Sequence, residues 1–478
     1  MSKTHPPSYI KILLLLVALQ IFTEARGQDL AVEIHLDSAS GKAEISAKYQ
    51  DGFRPESGRS FLFRRSVARN PRSAERITEF RALSHSGAVV ESERRSPNEL
   101  VASSLEIGEV RYLVDLRPSS AAAKAHASWL EVDGGALMLD DLLPVFGGDR
   151  KRLRAAVSLK LPEGWRSYSS NDAGNNDSYD VSNVEGSVIF VGPRFREVRV
   201  PAKRGVLSLL IDGEWLFLDG EATQMAAEVY DFYVKMLGPL PTRRSLITLT
   251  KLSRAEPPGK WEAETRGATV TIASSDMAFK TQSLQRLHEQ LRHEIFHLWF
   301  PNAVELSGDY AWFYEGFALY HSLKLGVAVK RIRFADMLDT LSRAYSIDAN
   351  TNSRRPIDRS SGADATILYA RGMVIAFLAD IAAIRSSGGK RDSSTALREL
   401  FARHRSPAAS IQALDAVKSF VSEELIRRYV SGTEPIDWNS ELGAAGLEIK
   451  LNGRNFELQS VPKPNGRQKE ILKRLGYN

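Results

Sequence analysis

The 478-residue sequence predicts an α+β protein in three parts: a β-sandwich-like N-terminal region, a mixed central domain and a helical C-terminal region. Three observations carry this. Apolar and polar residues alternate with period two through much of 29–204. Two central segments, 281–300 and 309–325, instead repeat their apolar residues every three or four positions. From 331 to 430 the pattern is largely helical, with a break near 350–362.

The first 27 residues read as a signal peptide. Lys3 and Lys11 make a basic start, residues 12–22 are apolar, and Ala25-Arg26-Gly27 offers a small-x-small cleavage site. Gln28 is then the first mature residue. The apolar run is short for a bilayer, with a retained anchor as the alternative. No later segment reads as a span, so no stable membrane span is expected after signal cleavage. The chain has no cysteine, which excludes disulfides, a thiol nucleophile and a thiolate metal site. That suits an exported protein, periplasmic or secreted. The net charge of +6 is small for the length. The basic run Arg150-Lys151-Arg152-Leu153-Arg154 lacks interleaved aromatics, so no nucleic-acid partner is expected.

Residues 28–204 form the β-rich domain. Val32, Ile34 and Leu36 alternate with polar residues, as do Val157, Leu159 and Leu161, and Val188 and Phe190. Asp172-Ala173-Gly174-Asn175-Asn176 is turn-rich punctuation. Pro201-Ala202-Lys203-Arg204-Gly205 reads as the junction to the next domain. In 205–330, strands are expected at 207–211, 245–252 and 267–273, and an amphipathic helix at 222–237, before the two periodic segments. Residues 331–447 form the helical part. Residues 448–478 hold a hairpin across Asn452-Gly453 and a basic, peripheral tail from 462.

The chemistry concentrates in His293-Glu294-Ile295-Phe296-His297. This run lies inside the 281–300 helix, whose apolar stripe is Leu284, Leu287, Leu291, Ile295 and Leu298. Histidines four apart share one helix face, so both imidazoles can reach one metal. Glu315, eighteen residues after His297 on the second periodic segment, can supply a carboxylate as the third ligand. A fourth position left for water distinguishes a catalytic zinc from a structural one. Glu294 is placed to take a proton from that water. His288 is five residues before His293, off the shared face, and is left out. The competing reading is two surface histidines beside an aromatic core helix.

His293–Phe300, followed by Trp312-Phe313-Tyr314-Glu315-Gly316-Phe317-Ala318-Leu319-Tyr320, resembles the zinc signature of membrane-alanyl-type gluzincin aminopeptidases. Tyr369-Ala370-Arg371-Gly372-Met373 resembles the tyrosine-x-basic-glycine element of the glycyl aminopeptidase family. So do the helix running to Asp380, the pair Gly388-Gly389, and Tyr429-Val430-Ser431-Gly432-Thr433-Glu434-Pro435. The resemblance spans roughly 205–447 and favours the glycyl-aminopeptidase-like branch. The chain departs from it in a short insert between histidines and glutamate and in too few C-terminal residues for a PDZ domain. The alanyl-type Gly-x-Met-Glu-Asn substrate loop is absent, and its place falls to Trp261-Glu262-Ala263-Glu264-Thr265-Arg266-Gly267.

The resemblance implies a thermolysin-like zinc-peptidase domain. It implies Zn²⁺ on His293, His297 and Glu315, with Glu294 as general base and Tyr369 as donor to the oxyanion. Glu264, with Glu262 as its rival, would hold the free amine of a peptide substrate, and strand 268–272 would pair with the peptide backbone. The function expected is an exported zinc aminopeptidase. The alternatives are a binding protein that keeps the fold with altered catalysis, and a zinc hydrolase or endopeptidase indifferent to a free amine. Trp312 and Tyr314 are read as helix packing and given no role.

Overall fold

The computed structural model describes residues 29–49, 59–64, 73–144, 153–253, 255–351, 354–359, 364–418, 420–453 and 455–477. The expected signal peptide and Arg150, Lys151 and Arg152 of the basic run lie outside these residues.

In the N-terminal part the period-two pattern becomes a sandwich. Leu30, Val32, Ile34 and Leu36 all point inward from Leu30–Asp37. That strand sits within an eight-stranded sheet, antiparallel to Lys42–Tyr49 and parallel to Ala155–Lys160. A four-stranded sheet containing Gly134–Met138 and Val188–Gly192 faces it, and Ile34, Ile45, Leu137 and Ile189 share one core. These two strands are buried at every position because their other face is covered too. Ala136, Met138 and Phe190 pack there against Leu210 and Leu246 of the next sheet. The four-stranded sheet is therefore the layer that joins the two halves.

The central part comprises β1 (Arg196–Val200), β2 (Val206–Ile211), α1 (Asp219–Leu237), β3 (Arg244–Lys251), β4 (Trp261–Arg266), β5 (Thr269–Ser274), α2 (Lys280–Phe296) and α3 (Ala311–Ala328). Its sheet runs β1-β2-β3-β5-β4, with β2, β3 and β5 parallel and the outer strands antiparallel. Three expectations need correction. The boundary at 204 falls inside a hairpin, because β1 pairs with β2 and Gly205 (φ +79°) turns between them. Alternation alone does not say which sheet a strand joins. The segment expected as a loop, 261–267, is the edge strand β4; its charged residues hid the alternation of Trp261, Ala263 and Thr265. Finally, β5 lies between β3 and β4, so its backbone has no free side for a peptide. The free edge belongs to β4.

Three helices of twelve residues or more follow, α4 (Phe334–Ala349), α5 (Ala365–Ser386) and α6 (Ser393–His404), and then shorter ones that include Asn439–Ala445. α5 is long and apolar enough to cross a membrane, with a mean hydropathy of 1.9, contrary to the sequence reading, but 78% of that window is buried inside the protein. It is the central core helix. Its Arg371 is fully buried and paired in bidentate fashion with Asp348 of α4 (2.8 and 3.0 Å), and it also donates to the carbonyls of Tyr429 and Glu434 (2.7 Å each). α5 crosses α3 where Gly316 meets Gly372. A Cβ on Gly316 would collide with the Gly372 carbonyl carbon, and one on Gly372 would run into the Trp312 carbonyl. The hairpin Leu447–Asn452/Asn455–Ser460 docks on α4, where the Ser346 and Ser342 hydroxyls accept from Phe456 N (2.9 Å) and Leu458 N (2.8 Å). The tail, expected to be peripheral, forms α7 (Gly466–Leu475), capped by Asn465, with Ile471, Leu472 and Leu475 buried. Its basic outer face masked this narrow apolar stripe in the sequence.

Gly372→Ala should lower stability by about 1–3 kcal/mol through forced separation of α3 and α5. Gly443→Ala, at a helical site with open space around it, should be neutral or slightly stabilising. Chemical denaturation of both variants checks the contrast.

Candidate active site

Helix α2 is held in the core by Leu287, Leu291, Ile295 and Phe296, which turns the opposite face toward the cleft. His293 sits in the last turn of that face and His297 is the residue that closes the helix. Their Nε2 atoms lie 3.2 Å apart. Glu315, in the first turns of α3, brings Oε2 to 3.3 Å from His293 Nε2 and 3.5 Å from His297 Nε2. Donors bound about 2.1 Å from a tetrahedral zinc lie about 3.4 Å from one another, so the triangle has the size one ion requires. Its chemistry agrees. His297 Nδ1 donates to the Phe300 carbonyl (2.8 Å), which orients the ring so that Nε2, the atom a metal would take on losing its proton, faces the centre. Glu315 Oε2 is buried with no hydrogen-bond partner among the described residues. Burial opposes ionisation of Glu315, but His297 and His293 outweigh it and hold the carboxyl far below its ordinary range. Burial likewise opposes a charged His297, yet Glu315 pushes it up to about 9.

Glu294 is buried beside the triangle, with Oε1 4.0 Å from His293 Nε2. The Thr265 hydroxyl, on β4, lies 3.0 Å from its Oε2. Burial raises the Glu294 carboxyl above its ordinary value, against the pull of both histidines, and the Glu315 charge adds to the rise. Asn302 clamps the end of α2 to the edge strand. Its amide donates to the carbonyls of His297 (2.9 Å) and Thr265 (3.0 Å), and its oxygen accepts from Gly267 N (2.7 Å).

A cleft of about 860 Å³ opens over these groups, lined by both halves of the molecule. Glu264 and Tyr369 line it; Glu262 lies at a neighbouring cavity instead. Burial, together with the nearby Glu315 carboxylate, raises the Tyr369 phenol well above its ordinary value. Glu264 accepts from His126 Nδ1 and from Arg266 Nε, both at 2.8 Å. Burial would raise its carboxyl; these partners hold it below the usual range. His126 comes from the N-terminal half, and the same half supplies Asp140, which pairs with Arg266. Glu262 lies 3.5 Å from both His126 Nε2 and Lys260 Nζ.

Tyr314, given no role from the sequence, also lines the cleft and stands edge-on to His297 with ring centroids 5.8 Å apart. Trp312 is fully buried core. His288 is buried away from the three donors, with Nδ1 2.9 Å from Arg292 Nη1. Thr265, Asn302, His126 and Arg266 were missed. Thr265 and Arg266 lie within the segment 261–267 already singled out, and Asn302 follows the histidine helix, so their proximity was available as a signal. His126 reaches the cleft through a contact more than a hundred residues apart in sequence, for which one sequence holds no sign.

Comparison with solved structures places this architecture. An aminopeptidase N family protein from Idiomarina loihiensis superposes with a TM-score of 0.73 at 14% identity, covering 88% of this chain and 79% of the other. The chain has the M1 metallopeptidase fold. An M1 zinc metallopeptidase from Deinococcus radiodurans matches with a TM-score of 0.55 at 14% identity, over 86% of this chain and 95% of its own. A mutant form of the Deinococcus radiodurans enzyme, solved with a Tyr-Ser-Ala substrate, matches at 0.53 over the same shares, again at 14% identity. No protein-family profile and no curated protein matches the sequence.

The metal-free protein keeps a proton on His297 up to a pH of about 9, and zinc must displace it. Apparent zinc affinity should therefore climb with pH across the neutral range, by up to about tenfold per unit. Competition against a chelator at several pH values measures this. Glu315→Ala should abolish stoichiometric zinc in the same assay.

Proposed function

We propose that this chain is an exported zinc-dependent aminopeptidase, acting in the periplasm or after secretion. The observation that carries the reading is the triangle of three donors sized for one zinc, with the buried Glu294 beside it. Zinc held by His293, His297 and Glu315 supplies a Lewis acid for a peptide carbonyl and makes water nucleophilic at neutral pH.

The protein's own groups do the rest. Glu294, with its raised carboxyl, accepts a proton from the attacking water and passes it to the leaving amine. The Tyr369 phenol stays protonated and donates to the oxygen that gains charge. The free edge of β4 offers backbone groups to an extended peptide. Glu264 receives the substrate's free amine as a third cationic partner beside His126 and Arg266. The Tyr-Ser-Ala complex of the structural neighbour supports peptides as the substrate class. The sequence resemblance of Tyr369-Ala370-Arg371-Gly372-Met373 is what supports the glycyl-aminopeptidase-like branch. One observation favours the endopeptidase reading: Glu264 already has two cationic neighbours, so its negative charge is partly neutralised before any amine arrives.

Unblocked peptides should be cleaved and their N-acetylated counterparts left intact; equal cleavage of both transfers the assignment to endopeptidase. Glu294→Gln should keep its zinc while turnover falls by about 10²–10⁴-fold. Tyr369→Phe should cost about 10²-fold in kcat, with little change in KM. Steady-state kinetics with metal analysis reads both.

A further inference from the structure

A second cavity of about 360 Å³ meets the cleft at Ala263, His293, Glu294 and Tyr369. Its walls are largely apolar, with Leu319, Leu323 and Met373 among them. Its polar lining, beside the shared His293 and Glu294, is Glu262, Glu289, Ser322, Thr340 and Arg292, and Arg292, immediately before the first histidine, is the one arginine or lysine among the lining residues. Arg292 is 5% exposed. Its partners are neutral: Nε donates to Ser322 Oγ (3.2 Å) and Nη1 meets His288 Nδ1 (2.9 Å). Among the described residues no carboxylate lies within ion-pair distance of it, and its Nη2 makes no hydrogen bond.

Of the three acids that line the cavity, Glu294 is hydrogen-bonded to Thr265 and the other two have cationic partners of their own. Glu289 pairs with Arg286 (2.8 Å), and Glu262 lies between Lys260 and His126. A buried guanidinium without an anion is costly, because desolvation is not offset by a counter-charge. A guanidinium also presents paired donors that match a carboxylate.

The direction of the substrate follows from β4. Glu264 lines the large cleft, whereas Trp261 and Glu262 line the small cavity. A peptide with its amine at Glu264 and its first carbonyl at the metal continues toward Trp261. The residue after the cleaved bond then enters the small cavity.

We infer that Arg292 makes this cavity a carboxylate-recognising subsite for the leaving residue. The carboxylate is an Asp or Glu side chain, or the free C-terminus of a dipeptide. This rests on the aminopeptidase reading above.

The test uses zinc-loaded full-length protein and two substrate pairs. Ala-Glu-Ala-Ala-amide against Ala-Gln-Ala-Ala-amide isolates the side chain; Ala-Ala against Ala-Ala-amide isolates the C-terminus. An advantage of about tenfold in kcat/KM for the charged member of either pair is expected, and Arg292→Gln should reduce that ratio to about one. Arg292→Lys should retain part of it. Calorimetry on the Glu294→Gln protein reads the same discrimination as affinity, without turnover. A binding preference without cleavage would keep the subsite and remove the peptidase reading. Cleavage with equal rates in both pairs, or a preference for Ala-Lys-Ala-Ala-amide, would overturn the subsite and leave the peptidase reading standing. The wild-type ratios decide even if Arg292→Gln does not fold.

Discussion

The glycine-on-glycine crossing of α3 and α5 sets the geometry of the site. Gly316 follows Glu315, and Gly372 comes one helical turn after Tyr369. Because neither glycine carries a Cβ, the two backbones touch, and the carboxylate and the phenol are delivered to the same side of the crossing. The buried Arg371–Asp348 pair fixes the rotation of α5 about its axis. One step along the helix in either direction would turn Tyr369 away from the donors. The second and third helices of the site are thus registered by contact, not by loop length.

The other boundary of the site is the edge strand. Thr265 meets Glu294, Asn302 joins the strand to the end of the histidine helix, and Glu264 faces the cleft. The base is enclosed by this arrangement, and enclosure is what raises its proton affinity. His126 and Arg266 near the cleft are matched by acids from both halves of the chain. The local field is therefore set by tertiary pairing more than by any one motif.

Local periodicity made much of this readable before any coordinates. The donors lie on two helices whose 3.6-residue pattern is strong, and His293, His297 and Glu315 converge on one point. Tyr369 came from resemblance, since nothing in its immediate surroundings distinguishes it from a core tyrosine. The strand β4 was obscured because charged side chains at an edge break the apolar signature of a strand. The order of β4 and β5 in the sheet is a nonlocal property, and the helix α5 looked unremarkable only because Arg371 and Asp380 interrupt its apolar run. The tail helix shows the reverse error: three buried apolar residues were outweighed by the basic ones around them.

The four-stranded sheet that is buried on both faces bears on how this architecture can change. Its outward-facing and inward-facing side chains belong to different cores, so an insertion of one residue in Val188–Gly192 would exchange the two sets. A replacement at this layer must suit two cores at once, whereas the solvent-facing residues of the hairpin-and-helix terminus touch neither. Diversity among proteins of this shape should accumulate at the far end of the helices and at the rim of the cleft, with the shared wall between the halves acting as the conserved keel.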